Sequence, residues 1–165
     1  MRFQSLDEIK QSGFTGFHTL RSLTADPAIL PDVCGVYMIL NTSETRPVFL
    51  AAGTGGFFKG KNPNITLAKL EDNWVEQTIV LYIGKAGGSG SRATLRSRLI
   101  QYLDFGQGKA AAHWGGRLIW QLENAAELLL CWKPLTTKEP RMVERELILQ
   151  FVAEYGKRPF ANLKG

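Results

Sequence analysis

The sequence predicts an α+β (mixed α/β) domain, a small sheet lying under helices. Three observations lead there. Two strand-length apolar runs, residues 34–40 (CGVYMIL) and 77–83 (QTIVLYI), stand far apart in the chain. Two segments repeat apolar residues at helical spacing: residues 95–103, through Leu95, Leu99, Tyr102 and Leu103, and Pro140–Tyr155. The order strand, inserted segment, strand, helix, strands, helix packs most simply as helices on one small sheet.

Each element has a local reason. Ser5 followed by Asp7 and Glu8 reads as a capped helix start, with Gly13 and Gly16 ending the element. Pro27 and Pro31 mark a loop before the first strand. Residues 45–52 read as a second strand, 52–56 (AGTGG) as a turn, 59–64 (KGKNPN) as a polar loop, and 67–73 as one or two helical turns. Residues 87–91 (GGSGS) form a flexible loop, and 105–109 (FGQGK) break the helix that precedes them. Residues 117–122 and 127–132 read as strands around an Asn124-Ala125 turn. Pro140 suits the first turn of the longest helix and Gly156 its C-cap. The tail from 157 to 165 is basic and extended.

At 165 residues the chain has room for one domain with a substantial core, and no internal boundary is evident. Residues 1–30 form an N-terminal extension and 41–78 an insertion within that domain. The formal charge is +5, which favours polyanionic partners only mildly. Its distribution says more: between Lys85 and Lys109 stand Lys85, Arg92, Arg96, Arg98 and Lys109 against the single acid Asp104. The two cysteines, Cys34 and Cys131, lie in apolar runs, as buried free thiols do in a reducing compartment. No Cys/His cluster has zinc-ligand spacing. No apolar stretch spans a bilayer and the first residues lack a signal-peptide core, so a soluble cytoplasmic protein is expected, with no membrane partner.

Four pieces then fall in one order: Gly35-Val36-Tyr37; Tyr82-Ile83-Gly84-Lys85; Leu95-Arg-Ser-Arg98-Leu-Ile-Gln-Tyr102; and Val143-Glu144-Arg-Glu-Leu147-Ile148, followed by Pro159-Phe-Ala-Asn162. The set resembles the GIY-YIG nuclease superfamily, which includes homing endonucleases, some restriction enzymes and the N-terminal module of the UvrC repair protein. The resemblance covers roughly residues 31–40, 77–105 and 126–162. It implies a mainly antiparallel central sheet flanked by helices and a metal-dependent endonuclease that hydrolyses DNA phosphodiesters. Two departures stand out. The family joins its tyrosine strands by a short hairpin, whereas 44 residues separate Tyr37 from Tyr82 here, and about six residues are added before Pro159. Such an insertion costs little loop entropy; it is expected to fold over the hairpin as a lid or a substrate contact.

The resemblance assigns roles residue by residue. Tyr37 and Tyr82 would face one cleft, one helping to deprotonate the attacking water and the other holding it or the phosphate. A free phenol with a pKa near 10 is a poor base, so a metal or the nearby Lys85 would have to lower it. Without the pairing, both would read as core aromatics. Arg98 matches the family's helix arginine and would clamp the scissile phosphate. Arg92, Arg96, Lys109 and Arg117 read as surface cations that could meet the DNA backbone. Glu144 would be the sole protein ligand of one Mg²⁺ or Mn²⁺. Helical geometry agrees, since Glu144 falls inside the apolar arc of Val143, Leu147, Ile148, Phe151 and Tyr155 while Glu146 points away. A carboxylate there needs a partner, either a cation or an arginine. Asn162 would brace the site or touch phosphate. His113, in His-Trp-Gly-Gly-Arg117, is a secondary acid–base candidate, against the ordinary alternative of a structural or solvated histidine; His18 has only the structural reading. The glycines at 87–90 fail the P-loop spacing, because Lys85 precedes them. Trp114, Trp120 and Trp132 are expected in the core.

The alternative to an endonuclease is a non-catalytic nucleic-acid-binding module that keeps the fold. Specificity for DNA would have to come from the insertion, the basic 85–109 segment, a homodimer or a partner protein.

Overall fold

The computed structural model describes residues 1–163. The fold is α+β, with a four-stranded antiparallel sheet in the order β1-β4-β2-β3. Strands β2 (Gly35–Leu40), β3 (Val80–Ala86) and β4 (Leu129–Pro134) form the centre and one edge. Strand β1 (Thr15–Thr19) closes the other edge against β4. The central strand β2 is buried along its whole length, as its unbroken apolar run requires.

The two faces of the sheet have separate cores. On one face Tyr37, Ile39, Leu130 and Trp132 pack with Tyr82 under α2 (Leu20–Ala25) and α4 (Leu95–Gly106). On the other, Val36, Met38, Ile83 and Cys131 meet α1 (Leu6–Gln11) and α5 (Pro140–Tyr155), whose Val143, Leu147 and Phe151 fill that layer. Each expected cap holds. Ser5 Oγ accepts from Glu8 N–H, and Gly156 ends α5 at φ 76°. Thr94 and Ser97 form a reciprocal capping box that starts α4 one turn before Arg98.

Several expectations are corrected. Residues 1–30 are more than an extension, because they supply β1. TGFHT shows no clean alternation, and a bulge at Gly16–His18 with Phe17 at φ 60° hides its period. Gly16 therefore does not end a helix; it seats the Trp132 ring, which a Cβ there would meet at 2.7 Å. Residues 45–52 form no strand beyond one bridge between Phe49 and Leu122. Residues 117–122 form a 3₁₀ turn (Arg117–Gln121) with Leu118, Ile119, Trp120 and Gln121 all buried, since a short apolar run carries no period to separate strand from turn. α4 continues to Gly106, where the Trp120 ring lies where a side chain would be. Of the tail, Lys164 and Gly165 lie outside the described residues. Phe160 and Ala161 are buried rather than extended into solvent.

The insertion is not a lid over the hairpin. Its α3 (Leu67–Asn73) and flanking loops pack toward the 3₁₀ turn and the chain end. The Gln121 amide accepts from Ile65 N–H at 2.9 Å and donates to the carbonyls of Leu50 and Ile65. Phe49 stacks on Phe160, and Trp74 meets the same ring edge-on.

Candidate active site

β3 is an edge strand, and the chain end covers part of its open side. Ala161 N–H donates to Leu81, and the Asn162 amide accepts from Ile83 N–H at 2.9 Å and donates to Ile83 C=O at 2.8 Å. The cover stops at Ile83, and the chain beyond it lines a pocket of about 340 Å³. Tyr37, Tyr82, Lys85, Arg98 and Glu144 all line it, together with Gly87 and Ser91 of the glycine loop. Four separate elements, β2, β3, α4 and α5, thus contribute to one cavity.

Local sequence explains the convergence. Tyr37 pairs with Gly84 across β2 and β3. A Cβ on Gly84 would stand 2.4 Å from Tyr37 Cζ and 2.6 Å from its hydroxyl oxygen. The missing side chain lets the phenol lie across β3 toward the pocket. The Tyr82 ring stands 6.0 Å from that of Tyr37, tilted by 53°, and packs beneath Gly115 and Gly116. Gly87 is held at φ 81° against the Cys34 side chain and the Ala93 carbonyl. Beyond it, the Glu139 carboxylate accepts from Ser89 N–H at 2.8 Å and from Ser89 Oγ at 3.2 Å. Glu139 precedes α5, so this clasp joins the helix that carries Glu144 to the loop that leads to Arg98.

Electrostatics separates the groups. Burial pushes the Tyr37 phenol well above its ordinary value and that of Tyr82 to about 12. The expected lowering by Lys85 is not observed: desolvation of the phenolate outweighs the attraction of nearby cations. At neutral pH both tyrosines are hydrogen-bond donors. The Glu144 carboxyl is also raised, by burial first, against the opposing pull of Lys85, Arg141 and Arg98.

Glu144 is half-buried with no salt bridge among the described residues, while Glu146 is exposed on the other side of the helix. A carboxylate in that position suits a cation. No group of three or more His, Cys, Asp or Glu side chains gathers among the described residues, which disfavours an all-protein ligand cage. An ion of the Mg²⁺ type, which keeps waters and takes one carboxylate plus substrate phosphate oxygens, fits this donor set.

The other expected residues lie elsewhere. Arg96 is tied to the backbone, Nε donating to Leu30 C=O at 2.8 Å, with Asp32 4.0 Å from its guanidinium. Arg117 stacks over Trp114 at 4.5 Å and its Nε is buried without a partner among the described residues. Arg92 and Lys109 are exposed, Lys109 pairing with Asp104 at 3.1 Å. Asn162 lies outside the pocket and serves the β3 backbone. His113 is fully buried, packs on Tyr102 with ring centroids 4.5 Å apart, and has no hydrogen-bond partner at either ring nitrogen among the described residues. Burial, with the Arg98 charge adding to it, lowers its pKa to about 3. It stays neutral across physiological pH and does not line the pocket. His18 stacks on Trp132. Sequence reasoning missed Glu139 and Ser89; no local pattern pairs residues 50 positions apart.

A larger groove of about 870 Å³ lies between residues 41–47 and 74–79, but none of the expected site residues reaches it. No helix among the described residues is long and apolar enough to cross a membrane. Comparison with protein-family models, with curated proteins and with solved structures found no match.

Proposed function

We propose that this chain is a metal-dependent DNA endonuclease whose site resembles that of GIY-YIG nucleases. One observation carries the proposal: Tyr37, Tyr82, Lys85, Arg98 and Glu144, chosen by motif order along the chain, line a single pocket. The pocket joins two cationic side chains to one carboxylate, a combination suited to a phosphodiester and a divalent ion.

In this reading Arg98 binds a non-bridging phosphate oxygen through its planar fork and offsets charge that develops in the transition state. Lys85 adds a second positive charge from the adjoining strand. The two phenols, protonated at neutral pH, donate hydrogen bonds that orient the attacking water or a phosphate oxygen. Glu144 would hold a divalent cation, which would supply Lewis-acid stabilisation at the phosphate. Water oxygen bonds to phosphorus as the bond from phosphorus to the leaving oxygen breaks, giving one phosphomonoester end and one hydroxyl end.

Incubating the protein with supercoiled plasmid and Mg²⁺ or Mn²⁺, beside Glu144→Ala, tests the proposal. Metal-dependent nicking by the native chain, lost in the variant, is expected. No nicking with either metal overturns it. Salt-sensitive DNA binding without nicking would identify a non-catalytic binding module instead.

A further inference from the structure

The insertion carries a small basic-aromatic surface that the site itself does not use. Residues 57–61 (FFKGK) form a tight turn, in which Lys61 N–H donates to Phe58 C=O at 3.1 Å. Both central residues have positive φ, Lys59 at 51° and Gly60 at 72°, so the tip has a fixed shape. Phe57 beside it is 55% exposed, an unusual place for a phenylalanine in a polar loop. Lys59 and Lys61 are exposed, and the Lys59 ammonium lies 5.4 Å from the centre of the Phe58 ring.

This turn is anchored at the C-terminal end of α4, the helix that carries Arg98. Gly56 N–H donates to Phe105 C=O at the end of α4, and the Gly56 backbone presses against the Lys109 carbonyl. From Lys109 the chain runs to Ala112, whose carbonyl faces Arg98 Nη1 at 3.5 Å. A path of one short loop therefore connects the Arg98 guanidinium to Lys109 and the 57–61 turn. Three lysines against the single acid Asp104 make this path complementary to a phosphate backbone.

We propose that the 57–61 turn and Lys109 form a binding platform for a single-stranded DNA flank leaving the pocket. Phe57 stacks on an unpaired base while Lys59, Lys61 and Lys109 take its phosphates. An exposed ring at a fixed tip suits stacking, which requires a base face free of its duplex neighbour. The proposal rests on the nuclease reading for its orientation relative to Arg98.

The test uses full-length protein with the Glu144→Gln substitution, so that binding is measured without cleavage. Fluorescence anisotropy compares a duplex carrying a labelled single-stranded overhang with the same duplex blunt. Phe57→Ala is expected to weaken overhang binding about tenfold and to leave blunt binding unchanged; Phe57→Trp restores affinity and shows quenched indole emission on binding. Lys59→Ala/Lys61→Ala is expected to reduce the slope of log K against log salt by about 1.4. Thermal melts identify any variant that fails to fold, and Phe57→Trp then decides by its quenching. If overhang binding is unaffected by Phe57→Ala and by the double lysine change, the platform is overturned, and plasmid nicking by the native chain would leave the nuclease reading standing. If these variants lose binding while the native chain nicks nothing, the platform stands and the nuclease reading falls. Absence of DNA binding overturns both.

Discussion

Tyr37 and Gly84 face each other across β2 and β3, and the tyrosine ring occupies the space where a Gly84 side chain would be. The glycine of the Tyr-Ile-Gly triplet is therefore a steric requirement of the first tyrosine. Gly84→Ala must displace the phenol or spread the strands, at about 1–3 kcal/mol of stability. Nicking should fall at least about tenfold, since misplaced site groups lose rate steeply. Urea denaturation and plasmid nicking read the two effects; near-native values in both would show that Tyr37 has another way to lie.

Arg98 and Arg96, two residues apart, should separate cleanly. Arg98→Ala is expected to slow nicking by about 10²–10³-fold with little change in Tm, because its one side-chain hydrogen bond among the described residues is the long one to Ala112. Arg96→Ala removes bonds to the Leu30 and Ala28 carbonyls and should cost about 1 kcal/mol of stability while sparing the nicking rate. The opposite pattern would reassign the phosphate clamp.

Glu144 couples stability to pH in a defined direction. Its folded pKa lies above the ordinary value of 4.5, so between the two values the folded chain holds a proton that the unfolded chain has released. Its contribution is present below the unfolded pKa and is lost as pH rises through the folded one. Glu144→Gln should therefore have a higher Tm than the native chain at pH 7, the gap closing toward pH 4. In the native chain, nicking should fall on acidification, as protons compete with the divalent cation for the Glu144 carboxylate. A variant no more stable at pH 7 than at pH 4, relative to the native chain, would place Glu144 in a better compensated environment.

His113 acts with the opposite sign. With its folded pKa near 3, it contributes stability above the unfolded value of about 6.5, and that stability is lost as pH falls toward 3. His113→Phe keeps an aromatic ring against Tyr102 and removes two unpartnered buried nitrogens. It should flatten the fall in stability between pH 6.5 and 4, and be neutral or stabilising at pH 7. Urea titrations across that range decide it, and a steeper acid loss in the variant would mean that His113 is charged in the folded protein.

Much of this protein was determined locally by its sequence. The buried run around Tyr37, the cap at Ser5, the proline start and glycine stop of α5, and the inward position of Glu144 all follow from periodicity, capping and φ preferences. These are properties of neighbouring residues. Motif order along the chain also named five of the residues that share the pocket, though Asn162 and His113, named with them, lie outside it. Tertiary structure alone decided the rest. β1 and the 3₁₀ turn at Arg117–Gln121 have no usable period, so partner strands and core packing set their form. The Ser89–Glu139 clasp and the Asn162 brace join residues 50 and 79 positions apart. The tyrosine pKa values went up rather than down because burial depends on what the whole chain packs around a phenol, which a lysine three residues away does not reveal.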